Sequence, residues 1–379
     1  MQIKQIYEIV NDVAKEVLGE TAVVQEDLSD VVEVGESIVN AVGYDGYVKK
    51  LVNRIGKTIF VNRPYSGRAP KVLMDSWEFG SILQKVHTGL PEATENESWE
   101  LEDGASYDQD IFYQPKVEVK FYNSKTTFEV PMSFTDEQLK QSVLSREELG
   151  SFISMLYASV EKAMTLYMDS LIMRTINNFI AESVYSEKGA IARNLLAEYL
   201  VLHPDSELTA DTCLVDKDFL RYASSEIALA SSRMERMSTL FNVGGQPKFT
   251  PKDMQRIVML DIFTTKASMY LDSDTFHDKL VELPESDTVS FWQGSGTDYD
   301  FESCSTINVK TSSGHDVEVT GVIACIFDRD ALGVSNFNRR TTTHFNGKAE
   351  FWNNWYKEDA QYFNDFNENG IVFFVADSD

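Results

Sequence analysis

The chain has 379 residues, 43% of them hydrophobic, with 23 Phe and 16 Tyr, so it is long and apolar enough to bury two or three linked cores and is no disordered protein. Sixty Asp and Glu against 34 Lys and Arg give a net charge of −26, which argues strongly against a protein that grips nucleic-acid phosphates. There is no apolar run long enough to span a membrane and no cleavable amino-terminal signal, so synthesis and folding in a cytoplasm are expected.

In chain order, residues 1–18 place Ile3, Ile6, Tyr7, Val10, Val13, Ala14 and Val17 on one helical face that stops at Gly19. Such a helix either packs on its own domain or is an arm that docks on a neighbour. The acidic run from Glu26 to Glu36 reads as a connector. Gly56-Lys57-Thr58 is not a phosphate loop, because the position five residues before Gly56 is Leu51 and the Ile59-Phe60-Val61 that follows reads as a strand. From Val86 to Gln114 the chain is dense in Glu, Asp, Ser, Asn and Gly yet carries Trp99, Tyr107, Phe112 and Tyr113. Disordered tracts seldom hold aromatics, so this long loop reads as an arm that becomes ordered against another surface.

Lys116 to Phe121 alternates strictly, with Val117, Val119 and Phe121 on one face, and strand character continues from Thr126 to Val130. Thr135 with Gln138, and Ser145 with Glu148, are capping boxes. The second opens the dominant element of the chain. Phe152, Leu156, Val160, Ala163, Tyr167 and Leu171 recur at three- and four-residue spacing, and no proline interrupts the run to Val184. A helix of that length would be roughly 55 Å long. Helical patterns also cover Ile191–Leu202 and Asp216–Met237. Strands are expected at Arg256–Phe263, Thr306–Lys310, Asp316–Phe327 and Ile371–Val375.

Little in the chain looks like chemistry. Cys213, Cys304 and Cys325 lie far apart without CxxC spacing and read as buried thiols of a reducing compartment. His87, His203, His277, His315 and His344 show no metal-ligand spacing and read as surface or hydrogen-bonded histidines. Asp272-Ser273-Asp274 suits a turn better than a metal pair, and the carboxylates of Asp328-Arg329-Asp330 suit an arginine flank or a cap. No catalytic, cofactor-binding or metal-ligating constellation stands out.

The order of parts resembles the major capsid proteins of tailed bacteriophages with the Hong Kong 97 fold. An amino-terminal arm and a polar loop with scattered aromatics lead to a strand that ends in Val130-Pro131-Met132-Ser133-Phe134-Thr135, and then to a long helix. The carboxy-terminal half is similar too. It carries Val322-Ile323-Ala324-Cys325-Ile326-Phe327-Asp328-Arg329-Asp330-Ala331-Leu332-Gly333 and Arg339-Arg340-Thr341-Thr342, then Tyr362-Phe363-Asn364-Asp365 and Asn367-Glu368-Asn369-Gly370-Ile371-Val372-Phe373-Phe374.

The resemblance implies an α+β fold with an amino-terminal arm and connector over 1–81 and an extended loop over 82–115. It implies a peripheral domain over 116–205 and 335–379, with the long helix as its spine, and an axial domain over 206–334. By the same resemblance the chain is a non-enzymatic subunit that self-assembles, as hexamers and pentamers, into an icosahedral virion head around double-stranded DNA. DNA would be enclosed without sequence-specific binding, with no cofactor and no membrane. Intersubunit contacts fall to Trp99, Tyr107, Phe112 and Tyr113 of the loop. Some members begin with a long cleaved scaffolding segment, whereas only about 40 residues precede the similar region here. A separate scaffolding protein, a portal and no large amino-terminal removal are therefore expected. Two alternatives are an encapsulin-like protein shell and, from a different class, an acidic cytosolic hydrolase that uses a carboxylate pair.

Overall fold

An unbroken helix from Arg146 to Tyr185 is the longest element of the protein, seen here in a computed structural model. The structure describes residues 3–18, 83–91, 96–107, 116–135, 146–186, 189–273, 285–292, 306–311 and 314–377, with isolated positions elsewhere. Ser145, the acidic run 26–36 apart from Val34, the segment 56–58 and the capping residue Gln138 lie outside them. The described helices are α1 (Ile3–Leu18), α2 (Arg146–Tyr185), α3 (Leu195–Leu202), α4 (Lys217–Met234) and α5 (Asp261–Ser273).

Three strands form the sheet on which α2 rests. These are β3 (Lys125–Thr135), β10 (Leu332–Asn346) and β11 (Phe351–Asn364), in the order β10-β11-β3 and antiparallel throughout. Of the stripe anticipated on the helix, Val160 and Leu171 are buried and Ala163 and Tyr167 half-buried, with Met164, Met168 and Ile172 buried beside them, while the side chains of Phe152 and Leu156 lie outside the described ones. Tyr167 stacks on Phe128 of β3 at 5.7 Å between ring centroids. Burial alternates along β11, so Trp352, Asn354, Tyr356, Glu358 and Ala360 point inward. The buried Glu358 carboxylate is held by Arg339 at 2.5 Å and Asn336 at 3.1 Å, which supplies the partners a buried charge requires.

A second sheet has the order β4-β12-β9-β5-β6. It joins Ala192–Asn194 (β4), Gly370–Phe374 (β12), Val322–Asp328 (β9), Gln255–Leu260 (β5) and Asp287–Val289 (β6). Every residue of β9 is buried, Cys325 among them as a free thiol. Phe179 of α2 reaches Phe327 of β9 at 5.8 Å, so the long helix contributes to both sheets. A short hairpin, β7 (Ile307–Lys310) with β8 (Asp316–Val319), also lies against α2.

Several expectations are corrected. The two runs 116–121 and 126–130 are strands, β2 (Val117–Tyr122) and β3, but they belong to different sheets and not to a single one beneath the long helix. Residues 191–202 open with β4 before α3, because Asn194 caps α3 through its side chain. The strand expected over 256–263 stops at Leu260, and α5 begins at Asp261. Residues 316–327 are two strands separated at Gly321, whose φ of +68° suits glycine alone. Asp272 and Ser273 end α5 rather than forming a loop, and Asp274 lies outside the described residues. The helix α1 packs on α2 of its own chain, with Val13 and Ala14 fully buried.

Candidate assembly surface

The strands β1 (Leu83–Thr88) and β2 pair antiparallel as an isolated two-stranded ribbon. Register sorts their side chains onto two faces, because paired residues of an antiparallel ladder project to the same side. Lys85 pairs with Lys120, and His87 with Glu118. Val86 pairs with Val119, Gln84 with Phe121 and Thr88 with Val117. The faces are inverted relative to an ordinary surface strand. Lys85, His87 and Lys120 turn toward the body of the subunit, while Glu118 stays exposed, as do Val86, Val117, Val119 and Phe121.

What turns the two lysines and His87 inward is Asp365, in the turn after β11, whose carboxylate is wholly buried. Lys120 Nζ lies 3.0 Å from its Oδ1, and Lys85 Nζ and His87 Nε2 each lie 3.4 Å from its Oδ2. Lys85 also donates to the Asp330 carbonyl and sits over the Phe363 ring. Burial by itself would raise the Asp365 pKa. The Lys120 hydrogen bond, the Lys85 charge and the Asn367 amide outweigh it and hold the carboxyl down at about 2. Burial and the Asp365 charge push the Tyr122 phenol well above its ordinary range.

Lys248 closes the cluster from the body side. Its ammonium donates to His87 Nδ1 at 3.0 Å and to Glu368 Oε1 at 3.1 Å. His87, Asp365 and Glu368 are the one group among the described residues whose donor atoms, within 4.8 Å of one another, have a metal-like arrangement. The donor set does not fit a metal, because Lys85, Lys120 and Lys248 already neutralise both carboxylates.

A buried polar chain makes the base rigid. Thr250 donates to Asp328 at 2.7 Å and accepts from Asn369 at 3.3 Å, and Asn242 donates to Asn369 at 3.2 Å. Asp328 also accepts from the Asp330 amide at 2.8 Å, the capping role its spacing suggested. Burial raises its pKa against those hydrogen bonds.

Beyond Gly89, whose amide meets the Lys116 carbonyl at 2.7 Å, the ribbon opens into its tip. Trp99 is 94% exposed and Phe112 85% exposed, and neither packs on its own subunit. Tyr107 is partly occupied, since its hydroxyl accepts from the Glu102 amide at 3.1 Å across a turn that contains Gly104. Tyr113 lies outside the described residues. Trp99, Tyr107 and Phe112 are thus each exposed in the segment beyond the ribbon. Loop composition had pointed to them, whereas the Lys85–Asp365 anchor spans 280 residues and left no local signal.

A long spine helix laid across a three-stranded sheet and a five-stranded sheet is the Hong Kong 97-type plan of tailed-phage capsids. The chain belongs to the Phi29-like phage major capsid protein family, whose model matches residues 10–374. It is a phage head-shell protein. Among solved structures it is similar to a chain of the capsid structure of Staphylococcus phage Andhra, at 12% identity and a TM-score of 0.54, covering 84% of this chain and 88% of that one. It is also similar to a chain in the structure of head fiber and inner core protein gp22 of native bacteriophage P68, at 11% identity and a TM-score of 0.53, covering 80% and 83%. No curated protein sequence matches it.

Proposed function

We propose that this head-shell protein forms hexamers and pentamers that close into an icosahedral head around double-stranded DNA. The family match over residues 10–374 carries the reading. The loop 82–115 lies over a neighbouring subunit, with Trp99, Tyr107, Phe112 and Tyr113 as its contacts. Residues 116–205 with 335–379 form the peripheral domain, 206–334 the axial domain and 1–81 the arm and connector. The five-stranded sheet runs across this division, with β4 and β12 from the peripheral segments and β5, β6 and β9 from the axial one.

The protein acts without enzymatic chemistry. A separate scaffolding protein and a portal complete the head, which is built in the host bacterial cytoplasm. Its acidity keeps it from adhering to the genome it encloses. No described helix is long and apolar enough to cross a membrane. Electron microscopy of the full chain expressed with its neighbouring head genes tests the proposal. DNA-containing shells with five- and six-fold capsomers are expected. A monomeric particle, or a shell filled with a protein cargo, would overturn it in favour of a hydrolase or an encapsulin-like compartment.

A further inference from the structure

The tip of the ribbon has a chemical complement elsewhere on the same chain. Between Leu90 and Pro115 there are eight acidic residues and no basic one, and the apolar members Leu90, Trp99, Leu101 and Phe112 are all exposed. Between Arg233 and Arg256, in a chain of net charge −26, there are five basic residues and two acidic ones. This second region is one continuous surface. The Ser238 amide meets the Lys248 carbonyl at 2.9 Å, the Thr250 amide meets the Met234 carbonyl at 2.7 Å, and the Arg329 amide meets the Met254 carbonyl at 2.8 Å. Arg233, Arg236, Lys252 and Arg329 are exposed on it, alongside Met237, Leu240 and Phe249; Lys252 is paired with Glu235 at 3.6 Å and Arg329 with Asp330 at 3.8 Å, so the uncompensated charge is that of Arg233 and Arg236. Arg233 and Arg236 make no side-chain ion pair among the described residues. The surface is stiff, because the Thr250–Asp328–Asn369 chain lies beneath it.

We infer that the acidic, aromatic tip of one subunit seats on the basic, apolar patch 233–256 of a second copy of this chain. The inference rests on the overlapping-loop reading and names the surface that receives the loop. The tip does not occupy the patch of its own subunit, since Trp99 and Phe112 are almost fully exposed. The patch side chain Lys248 instead holds the root of its own ribbon. Each subunit therefore presents an acidic tip at one end of the ribbon and a basic seat at the other. Such a head-to-tail contact between unlike surfaces generates a ring when its rotation closes.

The test pairs charge reversals in the full chain, under conditions in which the wild type forms shells. Arg233→Glu with Arg236→Glu is expected to lower shell yield about tenfold or more, because facing like charges oppose docking. Glu100→Lys with Glu102→Lys is expected to do the same, and all four together to restore assembly. Thermal melting of the free subunit, expected to be unchanged, shows that each variant folds. Full shell yield from the arginine variant, or no restoration by the fourfold variant, overturns the inference. Hydrogen exchange separates this failure from that of the reading beneath it. A tip protected in wild-type shells but indifferent to the reversals leaves the overlap standing on another surface. A tip that exchanges equally in shells and free subunits removes the overlap as well. A tip already protected in the free subunit identifies its own chain as the occupant and also overturns the inference.

Discussion

Lys120 and Asp365 stand 245 residues apart in the chain and 3.0 Å apart in space, and their contact sets the direction in which the β1–β2 ribbon leaves the body. An isolated two-stranded ribbon is marginally stable in water. The orientation of this one depends on its root, where the Asp365 carboxylate is shared by two lysines and His87.

Asp365→Asn removes the shared anion and leaves Lys85 and Lys120 facing a neutral amide. Breaking a buried pair from one side costs about 3–5 kcal/mol, and the partial exposure of Lys120 puts the expected loss at the lower end. Hydrogen exchange should rise across residues 83–122 and stay slow in α2 and β9.

Acid should release the same root. A carboxyl held at about 2 in the folded protein, below its ordinary value of 3.8, adds stability above pH ~4 that disappears as pH falls toward 2. The difference corresponds to about 2 kcal/mol. Asp328, whose folded pKa is raised, acts with the opposite sign and favours the folded state on protonation. Exchange rates in the ribbon, corrected for intrinsic pH dependence, therefore report Asp365 more directly than global melting does. Acceleration between pH 4 and 2 is expected, and the Asp365→Asn variant should not show it.

Val160→Asp places a lone carboxylate at a position 1% exposed on α2. The cost is several kcal/mol, a large part of a typical domain's 5–15 kcal/mol. Soluble expression should be lost. Leu166→Asp, on the exposed side of the same helix, should express normally.

Gly370→Ala probes the join between α2 and β12. A methyl group there would run into the Phe179 ring, which is buried between Phe327 and Phe366. Overpacking of this kind costs about 1–3 kcal/mol, and a lower melting temperature of the free subunit is expected.

Trp99→Ala should leave melting of the free subunit unchanged, because the indole is 94% exposed. If the tip docks on a neighbour, an anchor of this type contributes about 2 kcal/mol per contact. Shells of the variant should then fall apart at lower denaturant concentration than wild-type shells.

Much of the fold could be read locally. The spine helix declared itself through an unbroken apolar period, and β7 and β12 through short β-rich runs. The strand β11 did not, because Asn354 and Glu358 occupy inward positions and break the alternation a half-buried strand should show. The β5–α5 junction was hidden for the opposite reason. The run Arg256–Phe263 stays apolar while its backbone changes from strand to helix. The loop aromatics were visible as a contradiction between polarity and ring content. Their clamp was not, because it joins side chains hundreds of residues apart.

The turn that carries Asp365 continues within five residues into β12. A tug on the ribbon's far end therefore does not stop at a surface salt link. It passes along the main chain into a strand flanked on both sides by others, β4 and β9. The ribbon is thus a lever whose fulcrum is tied to the stiffest part of the subunit, so outward load on the shell would be spread across the central sheet of each protein.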